Sequence, residues 1–183
     1  MKRMTRNELT PEQLASAQRL IAANLRSPAL AQRDTRTSRG KSPWNPSVTA
    51  TVRAANPLPI PSQCPCCGSS KVECVHHTMV YGREYRDWPW MLRCGTCRAT
   101  VGLHPFTNIP LGTLATKAIR DARMRAKDAF NPLWHGGGMG RSEAYAWLAK
   151  KLGIARVEEC HIGWFDVQQC EQVIEACEAH SFT

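Results

Sequence analysis

The chain of 183 residues contains no run of about 18 consecutive apolar residues, so no helix long enough to cross a bilayer is expected. Its first residues, Met1-Lys2-Arg3-Met4-Thr5-Arg6, lead into a polar stretch without an apolar core segment, which argues against a secretory signal peptide. A G-x-S-x-G nucleophile turn is absent and the chain is short, which excludes an esterase reading of His135-Gly136-Gly137-Gly138. That run reads instead as a connector whose backbone N–H groups are available to a phosphate beside Arg141. No internal repeat is apparent. Acidic residues are scarce: 15 Asp and Glu face 24 Lys and Arg, leaving a net charge of +9. Cysteine is plentiful, but the count of nine is odd, so a fully paired disulfide framework is excluded. Free thiols fit a reducing, cytoplasmic setting in which cysteine binds metal.

Four of those cysteines form the strongest pattern in the chain. Cys64/Cys67 and Cys94/Cys97 are two C-x-x-C pairs with 26 residues between them. Each pair delivers two soft ligands from one tight turn, and two such turns complete the tetrahedral shell that Zn²⁺ prefers. Turn chemistry accompanies both, with Pro65 and Gly68 around the first and Gly95 inside the second. One structural Zn²⁺ is therefore expected. Four thiolates leave no open coordination position, so this metal should support the fold and not activate water. Cys66 and Cys74 lie close by as alternative ligands should the register slip.

The positive charge is unevenly placed. Residues 1–62 carry ten Lys and Arg against three Asp and Glu, a net +7; residues 63–183 carry fourteen against twelve, a net +2. Three regions follow. Residues 1–26 are read as an amphipathic helix: Thr10 as N-cap, Pro11 in the first helical position, Gln13 closing a capping box, and Leu14, Ala17, Ile21 and Leu25 on one face. Residues 27–62 read as an extended basic linker, with six prolines and the cations Arg33, Arg36, Arg39 and Lys41 around one aromatic, Trp44. Residues 63–183 read as a zinc ribbon plus a helical domain, so the fold class is α+β.

Within that domain, alternation from Val72 to Val80 predicts a first strand, Trp88–Arg93 a second and Arg98–Leu103 a third, antiparallel with zinc at one end. About three helices should follow. A helix over 111–130 groups Leu114, Ala115, Ala118, Ile119, Ala122, Ala126, Ala129 and Phe130 in one arc and Lys117, Arg120, Arg123 and Lys127 in the next. Asn131-Pro132 ends it, with Leu133 and Trp134 packing back. Ser142 is expected to cap a helix over 143–152 that ends at Gly153. Asp166 with Gln169 caps the last, whose buried stripe is Val167, Cys170, Val173, Ile174 and Cys177.

Other constellations have competing readings. Cys160, His161, Cys170 and Cys177 suit either a second metal or plain helix packing, the latter because buried cysteine behaves as a small hydrophobe. His76 and His77 between the knuckles, with His104 and Asn108 beyond them, have the layout of a zinc-ribbon HNH nuclease. The pair lacks the acidic neighbour such a site needs, and no catalytic residue is assigned.

Beyond these readings, the stretch over roughly 62–180 resembles a family of small phage and prophage proteins, the zinc-finger-containing domain of unknown function. The resemblance rests on Cys64-x-x-Cys67, Tyr81-Gly82, Cys94-x-x-Cys97, Val101-Gly102-Leu103-His104 and Pro110-Leu111-Gly112-Thr113-Leu114-Ala115. Phe130-Asn131-Pro132-Leu133-Trp134, Ser142-Glu143-Ala144-Tyr145-x-Trp147-Leu148 and Cys160-His161-Ile162-Gly163 carry it further. It implies a mobile-element origin, a zinc ribbon with helices, and a bacterial host cytoplasm. The leading functional expectation is non-catalytic nucleic-acid binding. The basic arm and the 111–130 helix would meet phosphates, and ribbon aromatics (Tyr85, Trp88, Trp90) would offer stacking surfaces. A phage-encoded inhibitor or adaptor of a host nucleic-acid-handling or defence complex is the alternative, and an HNH-like nuclease the second alternative. Neither a membrane nor a small-molecule substrate is expected as partner.

Overall fold

The computed structural model describes residues 10–24, 42–54, 56–136 and 138–181. Helix α1 (Pro11–Asn24) begins with the expected reciprocal cap: the Thr10 N–H donates to Gln13 Oε1 at 2.9 Å, and the Gln13 N–H to Thr10 Oγ1 at 3.2 Å. It contacts the short helix α2 (Val48–Val52).

The segment from Ser42 to Pro61 departs from the linker expected over 27–62. A tight turn bridges Ser42 and Asn45, and Trp44 meets the Trp90 ring edge-on at 5.0 Å. Ser47 caps α2 through its hydroxyl, and its N–H donates to Phe106 O at 2.8 Å. Ile60 packs on the same core. Farther along, Asn56 Nδ2 donates to Glu158 O at 2.9 Å. Prolines usually mark breaks, but they carry no N–H to satisfy, so Pro43 and Pro46 bury beside Trp44 at no hydrogen-bond cost.

Strands β1 (Val72–His76), β2 (Trp90–Cys94) and β3 (Thr100–Gly102) form one antiparallel sheet in that order. Val72 faces Cys94 and His76 faces Trp90 across β1/β2; Met91 faces Gly102 across β2/β3. β2 is central, and Trp90, Met91, Leu92 and Cys94 are all buried. The first strand stops four residues before the alternation does. Thr78–Tyr81 is a helical turn, α3, because the Val80 and Tyr81 N–H groups return to His77 O and Gly82 closes it at φ +71°.

Residues 110–115 form a strip along β3, not the first turns of a helix. Leu111 N–H donates to Gly102 O, and Ala115 and Thr100 exchange both backbone bonds, at 3.1 and 2.9 Å. Helix α4 (Lys117–Phe130) therefore starts six residues later than its periodicity suggests, with Thr116 as N-cap. α5 (Pro132–His135) follows, with Leu133 and Trp134 packed back as expected. α6 (Arg141–Lys151) is capped at Gly140, whose N–H donates to the Glu143 carboxylate at 3.2 Å, and not at Ser142. Gly153 then closes it at φ +66°. Two 3₁₀ turns, Val157–Glu159 and Ile162–Trp164, lead to α7 (Val167–Ser181). Its capping box is made as expected, by reciprocal Asp166–Gln169 bonds of 2.8 and 3.1 Å.

Two cores result. Around the ribbon, Cys64, Trp88, Trp90, Leu92, Cys94, Ala99, Leu103 and Leu114 pack together. The helical core sets Ala122, Ala126 and Phe130 of α4 against Cys170, Val173 and Cys177 of α7, with Ala144, Leu148 and Ile162 filling the rest. The small residues of α4 let the two helices approach closely. Trp44→Ala should lower stability by about 2 kcal/mol in a urea titration of the zinc-loaded chain, since it strips an aromatic from the ribbon core. A linker that merely passed by would give no change.

Candidate metal centre and its surroundings

The two knuckles are built alike. Cys64 N–H donates to Ser69 O and Cys94 N–H to Ala99 O, both at 2.8 Å. Gly68 N–H returns to Cys64 O at 2.8 Å and Arg98 N–H to Cys94 O at 3.0 Å. The residue after each second cysteine is left-handed, Gly68 at φ +70° and Arg98 at φ +61°. Glycine enters that region freely, whereas arginine is strained there. The knuckles are also tied together: Ser69 Oγ and Thr96 Oγ1 are 2.8 Å apart, and Gly95 N–H donates to Lys71 O at 2.8 Å.

The four sulfurs converge as expected. All lie within 4.8 Å of one another, with Cys64–Cys97 and Cys67–Cys94 at 3.6 Å. A disulfide needs about 2.05 Å. A zinc tetrahedron with 2.3 Å bonds has sulfur–sulfur edges of about 3.8 Å, so the donor set and its spacing fit one structural Zn²⁺. Cys64 and Cys94 are buried, whereas Cys67 is exposed. Burial pushes the Cys64 thiol up, and the Cys97 N–H, ahead of that of Thr96, draws the Cys94 thiol down to about 6. Four thiolates this close ionise together only around a cation, which is the demand a metal meets.

The neighbouring cysteines stay out of that set. Cys66 donates to Leu114 O at 3.5 Å, and burial pushes the Cys74 thiol up to about 12. Cys160, Cys170 and Cys177 sit in the helical core; burial raises all three thiols, Cys160 and Cys177 to about 11. Among the described residues they gather no metal-ligating group with His161. Nor does the structure assemble His76, His77 and His104 into one. His76 Nδ1 meets Thr78 Oγ1 at 2.8 Å and its Nε2 lies 3.4 Å from Glu84. The His77 ring sits edge-on to Tyr81 and Tyr85, and His104 belongs to the loop closed by Thr107 and Ile109.

The basic face expected on the long helix is divided. Arg123 is only 9% exposed: its Nε donates to Phe165 O at 2.7 Å, Nη1 to Thr113 O at 3.1 Å and Nη2 to Thr113 Oγ1 at 2.6 Å. Arg120 Nη1 donates to Thr100 Oγ1 and Ala115 O at 2.8 and 2.9 Å, and Lys117 pairs with Asp121. Because the 110–115 strip lies against these turns, its carbonyls consume guanidinium donors that a phosphate would need. Lys127 alone of the four is exposed and without such a partner among the described residues. Trp88 and Trp90 are corrected as well. They are 4% and 5% exposed, with Trp88 Nε1 donating to Thr107 O at 3.1 Å, so they are core and not stacking surfaces. Arg33, Arg36, Arg39 and Lys41 lie outside the described residues.

Exposed aromatics occur instead at the hairpin tip. Tyr81 and Tyr85 are 43% and 40% exposed and meet edge-on at 5.2 Å, with Met79 exposed beside them on α3. The Arg83 guanidinium lies 4.6 Å over the Tyr85 ring, and its Nε donates to Tyr85 Oη. Tyr85 stood among the expected stacking aromatics; Tyr81 gave no signal beyond lying next to Gly82.

A family model described as a zinc-finger-containing domain matches residues 60–180. No curated protein and no solved structure matches the chain.

Three outcomes test the centre. Cys64→Ser should lower bound zinc, measured by elemental analysis, from one per chain toward none, with loss of the cooperative thermal transition. Zinc affinity in a chelator competition should fall more than about tenfold per pH unit on acidification, since each metal displaces more than one thiol proton. Arg98→Gly should raise stability by up to about 1 kcal/mol by relieving the left-handed residue, whereas Gly68→Ala should lower it by about as much.

Proposed function

Because this chain belongs to the family of zinc-finger-containing domains, with one structural Zn²⁺ at Cys64, Cys67, Cys94 and Cys97, we propose that it is a non-catalytic nucleic-acid-binding protein scaffolded by its ribbon. The observation that carries this reading is the placement of charge. Residues 1–62 hold a net +7 and the remainder +2, and the end of that basic region is fastened to the ribbon through Trp44 on Trp90. A cationic arm on a rigid mount gains affinity for a polyanion by releasing counterions, with little dependence on sequence. Arg33, Arg36, Arg39 and Lys41 supply that contact, and the mount supplies no chemistry, since four thiolates fill the zinc shell. The resemblance to phage and prophage proteins supports a bacterial cytoplasm as the setting.

A second reading has its own observation. Met79, Tyr81 and Tyr85 expose apolar area at the hairpin tip, which favours a protein-docking role as adaptor or inhibitor of a host complex. The two readings separate on salt. For nucleic acid, affinity should fall steeply between 50 and 200 mM salt, by a hundredfold or more on the order-of-magnitude scale of several phosphate contacts. Replacing Arg33, Arg36, Arg39 and Lys41 together by Gln should reduce the slope of log affinity against log salt by about 3. Binding that ignores salt, or a slope unchanged in the variant, would sink the first reading. Crosslinking of one host protein in nuclease-treated extract, lost on Tyr81→Ala, would favour the second.

A further inference from the structure

Away from the zinc, three segments bring cations together on the helical half. Arg123 and Lys127 lie four apart on one ridge of α4, and Asn131, the C-cap four residues on, continues its line. Arg123 marks where this ridge meets the turn ahead of α7, since its Nε donates to Phe165 O. On that same turn the His161 ring stacks on Trp164 at 5.2 Å and 19°, and its Nδ1 accepts the Gly163 N–H at 3.1 Å. That bond fixes the tautomer: the proton is on Nε2, which remains available as a donor. At the other end of the ridge, Asn131 N–H donates to Lys127 O and Trp134 N–H to Asn131 O. Arg141 then lies over Trp134 at 5.3 Å and over Tyr145 at 5.7 Å.

Lys127 and Arg141 make no ion pair among the described residues. The carboxylate nearest Arg141 in the chain, Glu143, is turned to the Gly140 N–H. Burial pushes the His161 imidazole down from its ordinary range, and Lys127, Arg141, His104 and Arg123 all push it the same way. Trp134 adds a buried indole N–H with no acceptor among the described residues. Like charges gathered without a counter-charge cost stability, and a fold that keeps them offers a place for an anion.

We propose that Lys127, Arg141 and His161 form a phosphate-binding subsite, taking a phosphodiester group of the nucleic acid on the helical face of the domain. It rests on the nucleic-acid reading and adds to the arm a fixed contact point. Lys127 contributes a point charge, Arg141 a planar fork placed near two aromatic rings, and His161 the Nε2–H. The Lys127 role is the one part of the expected basic helix face that this arrangement retains.

The test is an NMR titration of the zinc-loaded full chain, following the His161 imidazole, with a single-stranded oligonucleotide and separately with inorganic phosphate. Chloride of matched ionic strength is the control. The expected result is that both phosphate sources shift the His161 resonance and raise its pKa, because an anion favours the imidazolium. Lys127→Gln and Arg141→Gln, each confirmed folded by circular dichroism, should each weaken oligonucleotide binding about tenfold, the scale of one lost charge-assisted hydrogen bond. Oligonucleotide binding with His161 unmoved and both variants unimpaired overturns the subsite and leaves the nucleic-acid reading standing. Phosphate that moves His161 while no oligonucleotide binds keeps the anion site and overturns that reading. No response to either overturns both.

Discussion

Four thiols within 4.8 Å of one another set the terms for everything around them. Ionised, they repel; protonated, they leave the two knuckles joined by little more than the Ser69–Thr96 and Gly95–Lys71 hydrogen bonds. A divalent cation removes the conflict, and only then do the two turns become the fixed end of a sheet whose strands run to five, five and three residues. Such a sheet buries too little to order itself against the conformational entropy of its chain. Two of the ligands, Cys64 and Cys94, are themselves among its most buried side chains. The metal is thus part of the core and not an attachment to it.

What could be read in the sequence was local. The C-x-x-C spacing, the Thr10–Gln13 and Asp166–Gln169 caps, the buried stripe of α7 and the closing role of Gly153 each depend on residues a few positions apart, and each is found in the fold. What escaped was decided over long range. Leu114 and Ala115 continue the helical period of α4, yet Ala115 pairs with Thr100 and Leu114 joins the ribbon core, because a neighbouring strand offers backbone partners that periodicity cannot reveal. The same holds for Trp44, Trp88 and Trp90: their type marks them as large surfaces to be buried or used, and only the partner decides which.

Arginine shows the ambiguity most sharply. On α4, positions 120 and 123 look like a phosphate-facing stripe, but guanidinium is also the best available reagent for satisfying several carbonyls at once. Arg123 does this inside the protein, where burial draws its pKa down and nearby Cys170, Cys66 and Asp166 offset part of that. Arg120, one turn away, is taken up in the same manner by Thr100 Oγ1 and Ala115 O, so both guanidinium groups serve cohesion. Charge counted along a helix overstates what is available to a ligand.

The strip at 110–115 has a consequence of its own. Gly112 approaches Gly163 so closely that an added Cβ would lie 2.4 Å from its carbonyl oxygen, and Thr113 is held there by Gly163 O and by Arg123. The same strip gives Leu114 to the ribbon core. The strip therefore joins the two halves, by hydrogen bonds and close backbone approach on one side and by packing on the other. A strip shared in this way links metal binding at the ribbon to the stability of the helices packed on its other side.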